Sequence, residues 1–371
     1  MTVTPSRVRR GGMLDNLVDA TGDMTAIAIL RALLGLIVIR HLWPDIRADI
    51  TPVERFHAAW WSWLPEPSPG LYRGLVWVGV VAGAAMATGL AGRFATRVAF
   101  AVVTYLLVLD INGFSHNRAF LVWLLFGLCL VPSGITLRPA RHPSSAESPG
   151  LVGPLWPITL LRVVVSGVYL TSGLTKLANR DWRSGLVLWD RVNRHQNLIP
   201  FDGWLRDVIT SRAFHHVVSP ASIALEVGVG VALWFPRTRL AAVWVAFVFH
   251  ASIEVTASVQ TFSYSAIAAL LLWVTPRARD RTLVASGAFA GLVRRLDWLR
   301  RFHIDDRADP ASPTTLVDRD GTARHGLDAR LTALSRLPLL FPVVAPVLAG
   351  YRLRHRMRSS PKEASLRADP M

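Results

Sequence analysis

Lys176 is one of only two lysines among the 41 basic residues of this 371-residue chain; the other, Lys362, lies in the tail, and the rest are arginines. A lysine amine can lose its proton when desolvated, whereas a guanidinium effectively cannot. In a chain that uses arginine wherever charge alone suffices, Lys176 is the best candidate for a reactive group. Arg162, Tyr169 and Lys176 recur every seven residues, a step that drifts only about 20° around a helix. The three therefore share one face, and Gly173 near Lys176 allows a neighbour or ligand to approach. Arg162 and Lys176 would stand roughly 21 Å apart along the axis and serve opposite ends of it. A lysine so placed can equally be an anchor that snorkels to the membrane interface.

Asn112, His116 and Asn117 (NGFSHN) form a second polar cluster. A neutral imidazole or amide there could hold an amine and favour its free-base form; the same residues can instead be a polar turn that caps helices. Arg31, Arg162, Glu226, His250 and Glu254 fall inside apolar stretches, and Asp110 and His116 bracket the end of another. Charges at membrane depth are costly, so they face a bundle interior and find partners. Structural pairs such as Arg31 or Arg162 with Glu226 or Glu254 would satisfy them, and His250 can be a core histidine that is hydrogen-bonded and nothing more.

The elements that carry these residues are membrane helices. Hydrophobic residues make up 51% of the chain, with 14 tryptophans and a mean hydropathy of +0.35, which points to an integral membrane protein. A helical span takes about 20 residues, and spans are expected near 25–43, 72–91, 95–111, 119–135, 155–175, 220–236, 239–256 and 262–276. The expected fold is an all-α polytopic membrane helix bundle of about eight spans with a small α/β cytoplasmic tail. The net charge of +16 sits mainly in short loops and the tail, without a basic stripe interleaved with aromatics. It fits an anionic lipid surface rather than nucleic acid. Arg7, Arg9 and Arg10, then Arg93 and Arg97, Arg138 and Arg141, Arg237 and Arg239, and the tail all fall on one side of an eight-span chain. The positive-inside rule makes that side, with both termini, cytoplasmic. No small-residue cleavage site follows the first apolar run, which reads as a retained helix. Cys129 is the single cysteine, so internal disulfides, Cys-x-x-Cys chemistry and cysteine-ligated zinc are excluded; no metal site is expected.

Residues 1–24 read as a polar cytoplasmic arm, 25–276 as the transmembrane domain and 277–371 as a basic cytoplasmic appendage. HAAWWSWLPEPSP, His57 to Pro69, suits a headgroup-level aromatic belt. Gly185–His195 and Gly203–Val218 read as amphipathic pieces on the outer side. In the appendage, Leu283–Phe302 reads as a basic amphipathic stretch, Thr314–Arg324 as a strand and turn, and Gly326–Leu337 as a helix. Pro338, Pro342 and Pro346 should break the apolar run that follows.

RVVVSGVYLTSGLTKLANRDWRSG, Arg162 to Gly185, resembles the membrane signature of vitamin K-dependent gamma-carboxylase and its bacterial HTTM relatives. FHASIEVTASVQTFSY, Phe249 to Tyr264, is similar to that family's Phe-His and Phe-Ser-Tyr segments, and ILRALLG around Arg31 and LEVGVG around Glu226 also match. The resemblance covers about residues 20–276. It implies that Lys176 is a base that deprotonates a quinol, of menaquinone or vitamin K type, and that His116 supports it. In the carboxylase, oxygenation of that quinol drives carbon dioxide addition to glutamate. Tyr169, Gly173, Trp182, His250 and Asn112 would surround the quinol, while Arg31, Arg162, Glu226 and Glu254 would be structural charges. A quinol also suits the residues, because it dissolves in the bilayer and a desolvated amine near neutral pKa is what a general base requires. The family's glutamine between arginine and tyrosine is Val164 here, the asparagine before the histidine is Ser115, and the carboxylase's large lumenal β-rich region has no counterpart. VDRDGTARHGLDARLTALSRLP resembles the second half of a DCC-type thiol-disulfide oxidoreductase, without the Asp-x-x-Cys-x-x-Cys stretch. That implies a redox-dead remnant. The alternative to an enzyme is a non-catalytic module that binds a peptide or protein on its outer face, or helps peptide maturation or export, with Trp182, Trp189 and Trp204 as contacts. A transporter has less support, since no inverted repeat is visible.

Overall fold

Ser68, Ser115 and Ser211 each accept, through their hydroxyl oxygen, a hydrogen bond from the backbone N–H three residues on. Such caps satisfy orphan donors and fix where a helix begins. They start α2 (Pro69–Thr88), α4 (His116–Leu130) and α9 (Arg212–Ala232). The computed structural model describes residues 20–47, 61–110, 114–131, 152–196, 199–259, 261–274, 281–299, 301–306 and 312–359. Asn112, Arg7, Arg9, Arg10, Arg138, Arg141 and Lys362 lie outside these. The chain divides into two compact units, Met1–Thr275 and Pro276–Met371.

The first unit holds β1 (Thr21–Asp23), α1 (Thr25–Arg47), α2, α3 (Gly92–Val108), α4, β2 (Val152–Pro154) and α5 (Trp156–Ala178). There follow α6 (Arg180–Arg183), α7 (Leu186–Arg194), α8 (Trp204–Thr210), α9, α10 (Arg239–Ala257), α11 (Thr261–Ala269) and α12 (Leu271–Val274). A helix stands at each of the eight expected spans. Five of them, α1, α2, α5, α9 and α10, are long and apolar enough to cross a bilayer alone, and His116–Leu130 and Thr261–Val274 are shorter apolar segments. Outward side chains such as Val81 and Val248 are largely exposed, as expected where lipid rather than water is the solvent.

β1 and β2 pair antiparallel, with Gly22 opposite Gly153, so α1 and α5 start at the same end. α1 packs closely on α2 because Gly35 and Gly83 meet: a Cβ on Gly35 would lie 2.8 Å from the backbone nitrogen of Ala87, and one on Gly83 would lie 2.8 Å from the carbonyl of Gly35. Small residues permit such crossings in membranes. Gly35→Ala should therefore destabilise the fold by up to about 3 kcal/mol through overpacking, read as earlier thermal unfolding in micelles. Gly74→Ala, on the open side of α2, should not; equal effects would show that the crossing is not tight.

Two boundaries differ from expectation. The outer piece Gly203–Val218 is two helices, because Ser211 takes an extended conformation and caps α9; Pro220 consequently lies inside α9 rather than at its start. The last apolar segment breaks at Leu270, between α11 and α12.

In the second unit, β3 (Thr282–Val284), β4 (His303–Asp305), β5 (Thr315–Val317) and β6 (Ala323–His325) form a sheet in the order β4-β3-β5-β6. β3 runs parallel to β4, and the other two pairings are antiparallel. Helices α13 (Gly287–Leu296) and α14 (Gly326–Arg336) bring Val293 and Ala333 into one core with Leu283 and Leu316 of the sheet. The stretch Leu283–Phe302 is thus a strand followed by a helix, since its apolar start pairs into the sheet. Arg281 Nε donates to Asp318 Oδ1 at 2.7 Å. Burial pushes the Asp318 carboxyl up, but the Arg319 amide and the Arg281 guanidinium prevail and hold it below the usual carboxylate range. Pro338 lies in the turn that separates α14 from α15, but the later prolines do not break the run: α15 (Phe341–Ser359) is continuous through Pro346. Pro342 falls in its first turn, where no intrahelical donor is lost.

Candidate functional site

Asn179 ends α5 in an extended conformation, and its side-chain oxygen accepts from the backbone N–H groups of Asp181 and Trp182. The chain therefore turns directly after Lys176 and brings the Trp182 ring back over it, with Nζ 4.8 Å from the ring centroid. Ser219 Oγ donates to the Trp182 carbonyl at 2.5 Å and ties this turn to α9.

α5 and α9 run antiparallel, with Ser166 donating to the Gly230 carbonyl at 2.6 Å at one level and Gly173 against Val227 at another. A Cβ on Gly173 would lie 2.6 Å from Val227 Cγ2, so only glycine allows this approach. It places Glu226 within reach of Lys176: Nζ donates to Oε1 at 2.6 Å, with the two side chains 20% and 7% exposed. Ser219, Ile223, Glu226 and Gly230 form the buried stripe of α9, at the helical spacing of four, three and four.

Deeper along α5, the Tyr169 hydroxyl and His250 Nε2 lie 2.7 Å apart, and both side chains are buried. The ring of His250 stands edge-on to Phe249 and Phe262. Phe120, Tyr169, Glu226, His250 and Phe262 line a narrow cavity with room for about one water molecule. Glu226 Oε2 and His250 Nδ1 are buried there without a hydrogen-bond partner. Such orphans are costly in a stable core and mark a place where a proton or a water can be taken up. Glu226 thus joins two groups: one oxygen holds the amine, and its residue borders the cavity of the Tyr169–His250 pair.

Tyr169, Gly173, Lys176, Trp182, Glu226 and His250 are therefore brought together. His116 is not with them; it is exposed in the first turn of α4, with its ring edge-on to that of Phe114 at 5.8 Å. The imidazole next to the cavity is that of His250. Asn112 lies outside the described residues. Arg162 is two helical turns from Tyr169 at the other end, where Nε and Nη2 donate to the Leu272 carbonyl at 2.9 and 2.6 Å. That carbonyl lies in α12, just past the break at Leu270, and Arg162 meets it. Glu254 accepts from Tyr264, whose ring also stacks under Arg40 at 4.5 Å. Arg31 is buried in α1. The expected pairing of Glu226 with an arginine is replaced by Lys176, because the antiparallel register sets Arg162 far from Glu226.

The sequence reading did not join Glu226 to Lys176. The signal was available: an acid on the small-residue stripe of α9 opposite a glycine one turn before the lysine. Residues 20–277 match the family model of the HTTM domain. No solved structure matches the chain.

Proposed function

The chain belongs to the HTTM family of membrane proteins, related to vitamin K-dependent gamma-carboxylase, and we propose that it deprotonates a lipid quinol through Lys176. The observation that carries this reading is the 2.6 Å bond between Lys176 and Glu226. A lysine held as an ammonium cannot accept a proton. Glu226 resolves this, since moving one proton from Nζ to Oε1 yields a neutral amine and a carboxylic acid without sending charge into the membrane. The amine then takes the hydroxyl proton of the quinol, becoming ammonium and leaving a quinolate. A turn of the Glu226 carboxyl then carries its proton from the amine side to the cavity shared with Tyr169 and His250, where a water accepts it and the carboxylate is restored beside the ammonium.

A bound menaquinol or vitamin K-like quinol would supply the acidic hydroxyl and, once ionised, an electron-rich ring. The cavity is too small for that ring, so the accessible side of the amine is the outer one. There Trp182 offers an aromatic wall, and Leu174 and Leu177 are about half exposed on the same end of α5. Both termini are placed in the cytoplasm of a plasma-membrane protein by this reading, and Lys176 at the outer rim. Residues 277–371 are read as a cytoplasmic appendage.

Trp204 is 75% exposed at the start of α8, with Phe201 and Val208 beside it in sequence and partly exposed. That favours a second reading, a non-catalytic module that binds a peptide or protein partner on its outer face. Quantifying quinones by mass spectrometry in protein purified from native membrane separates the two. Near-stoichiometric menaquinone, lost in Trp182→Ala, supports the quinol reading; no more quinone than an unrelated membrane protein carries sinks it.

A further inference from the structure

Among the described residues, the exposed face of α15 is largely apolar. Leu339, just before it, and Val343, Val347, Leu353 and Met357 along it are 55–69% exposed; with about 100° of turn per residue they fall within roughly a 120° arc of the helix, despite the wider step from Val347 to Leu353. The opposite face is fixed: Leu348 is buried, and Arg352 donates to both carboxylate oxygens of Asp328 and to Thr332 Oγ1. Rotation of the helix cannot hide the stripe without breaking these bonds.

Charge chooses the occupant. The second half of α15 contains Arg352, Arg354, His355, Arg356 and Arg358, and the helix contains no acidic residue. A second copy packed through the same face would bring like charges together. An anionic phospholipid surface suits both halves, with the apolar stripe at the acyl boundary and the arginines beyond Arg352 at the headgroups. The chain leaves an apolar segment at Val274 and enters β3 at Thr282, a stretch that reaches at most roughly 28 Å when fully extended. We propose that α15 is an interfacial helix that seats this stripe in an anionic lipid surface. The assignment is independent of the chemistry at Lys176.

The test uses the full chain in a Cys129→Ser background, with one fluorophore on a cysteine introduced by Val343→Cys. It is reconstituted in nanodiscs of phosphatidylcholine alone, or of phosphatidylcholine and phosphatidylglycerol in equal parts. In the mixed discs the label should be quenched by doxyl-lipid and protected from aqueous iodide. In phosphatidylcholine alone, or in high salt, the order should reverse. Each arginine near an anionic surface contributes about fivefold, so Arg354→Gln, Arg356→Gln and Arg358→Gln together should weaken seating by roughly two orders of magnitude. A label introduced by Asp320→Cys, in the turn between β5 and β6, should stay open to iodide throughout and report an intact tail. Iodide access to the Val343 site in mixed discs would overturn the proposal. So would protection that ignores lipid charge and the arginine changes, since a protein partner or a second copy would then be the cover.

Discussion

Lys176→Arg is expected to keep its ion pair and lose its chemistry. The guanidinium can still reach Glu226 and balance its charge, so assembly should be unchanged. It cannot present a neutral nitrogen, and general-base catalysis of this kind is worth about 10²–10⁴-fold. The measurement is oxygen-dependent consumption of a menaquinol analogue by protein reconstituted in liposomes, compared with wild type at equal insertion. Arginine is a sharper test than alanine, because Lys176→Ala also strands Glu226, which is only 7% exposed. A wild-type rate in Lys176→Arg would end the deprotonation reading.

Glu226 separates stability from proton handling. Breaking a buried ion pair typically costs 3–5 kcal/mol; Lys176 is one-fifth exposed and can extend its amine outward, so Glu226→Ala should cost roughly 2–3 kcal/mol. The double change Lys176→Met with Glu226→Leu should recover most of that loss, because apolar replacements of such pairs are often neutral. Unfolding in mixed micelles would read the cycle, and additive single effects would mean the two side chains are not coupled. Glu226→Gln keeps a hydrogen-bond acceptor but cannot take the lysine proton. It should retain most of the stability while turnover falls about 10²-fold. Turnover at the wild-type rate would remove Glu226 from the proton route.

The helices were readable because their information is local. Long apolar runs give the spans, and the seven-residue recurrence of Arg162, Tyr169 and Lys176 puts the three on one face of α5 without saying which helix each meets. What was not readable depends on how far one helix is slid past another. Glu226 meets Lys176 through a register set by Gly173 and Gly230, and neither glycine specifies its partner in one sequence. The position of His116 had the same difficulty: its distance from Lys176 is a property of α4 against α5. Local chemistry misled in two further places. Ser211 has the hydroxyl of a cap but sits in a run that reads as amphipathic, and Pro342 and Pro346 read as breakers although one of them occupies the tolerant first turn of α15.

The clasp between Gly22 and Gly153 gives the bundle an uneven mechanics. It fastens the leading ends of α1 and α5 at one rim, and Lys176 rides near the far tip of α5. A helix rises about 1.5 Å per residue, so Lys176, twenty residues beyond Trp156, stands roughly 30 Å from that fastening. What holds the amine in place is therefore the contact of α5 with α9 at its own end, not the distant clasp.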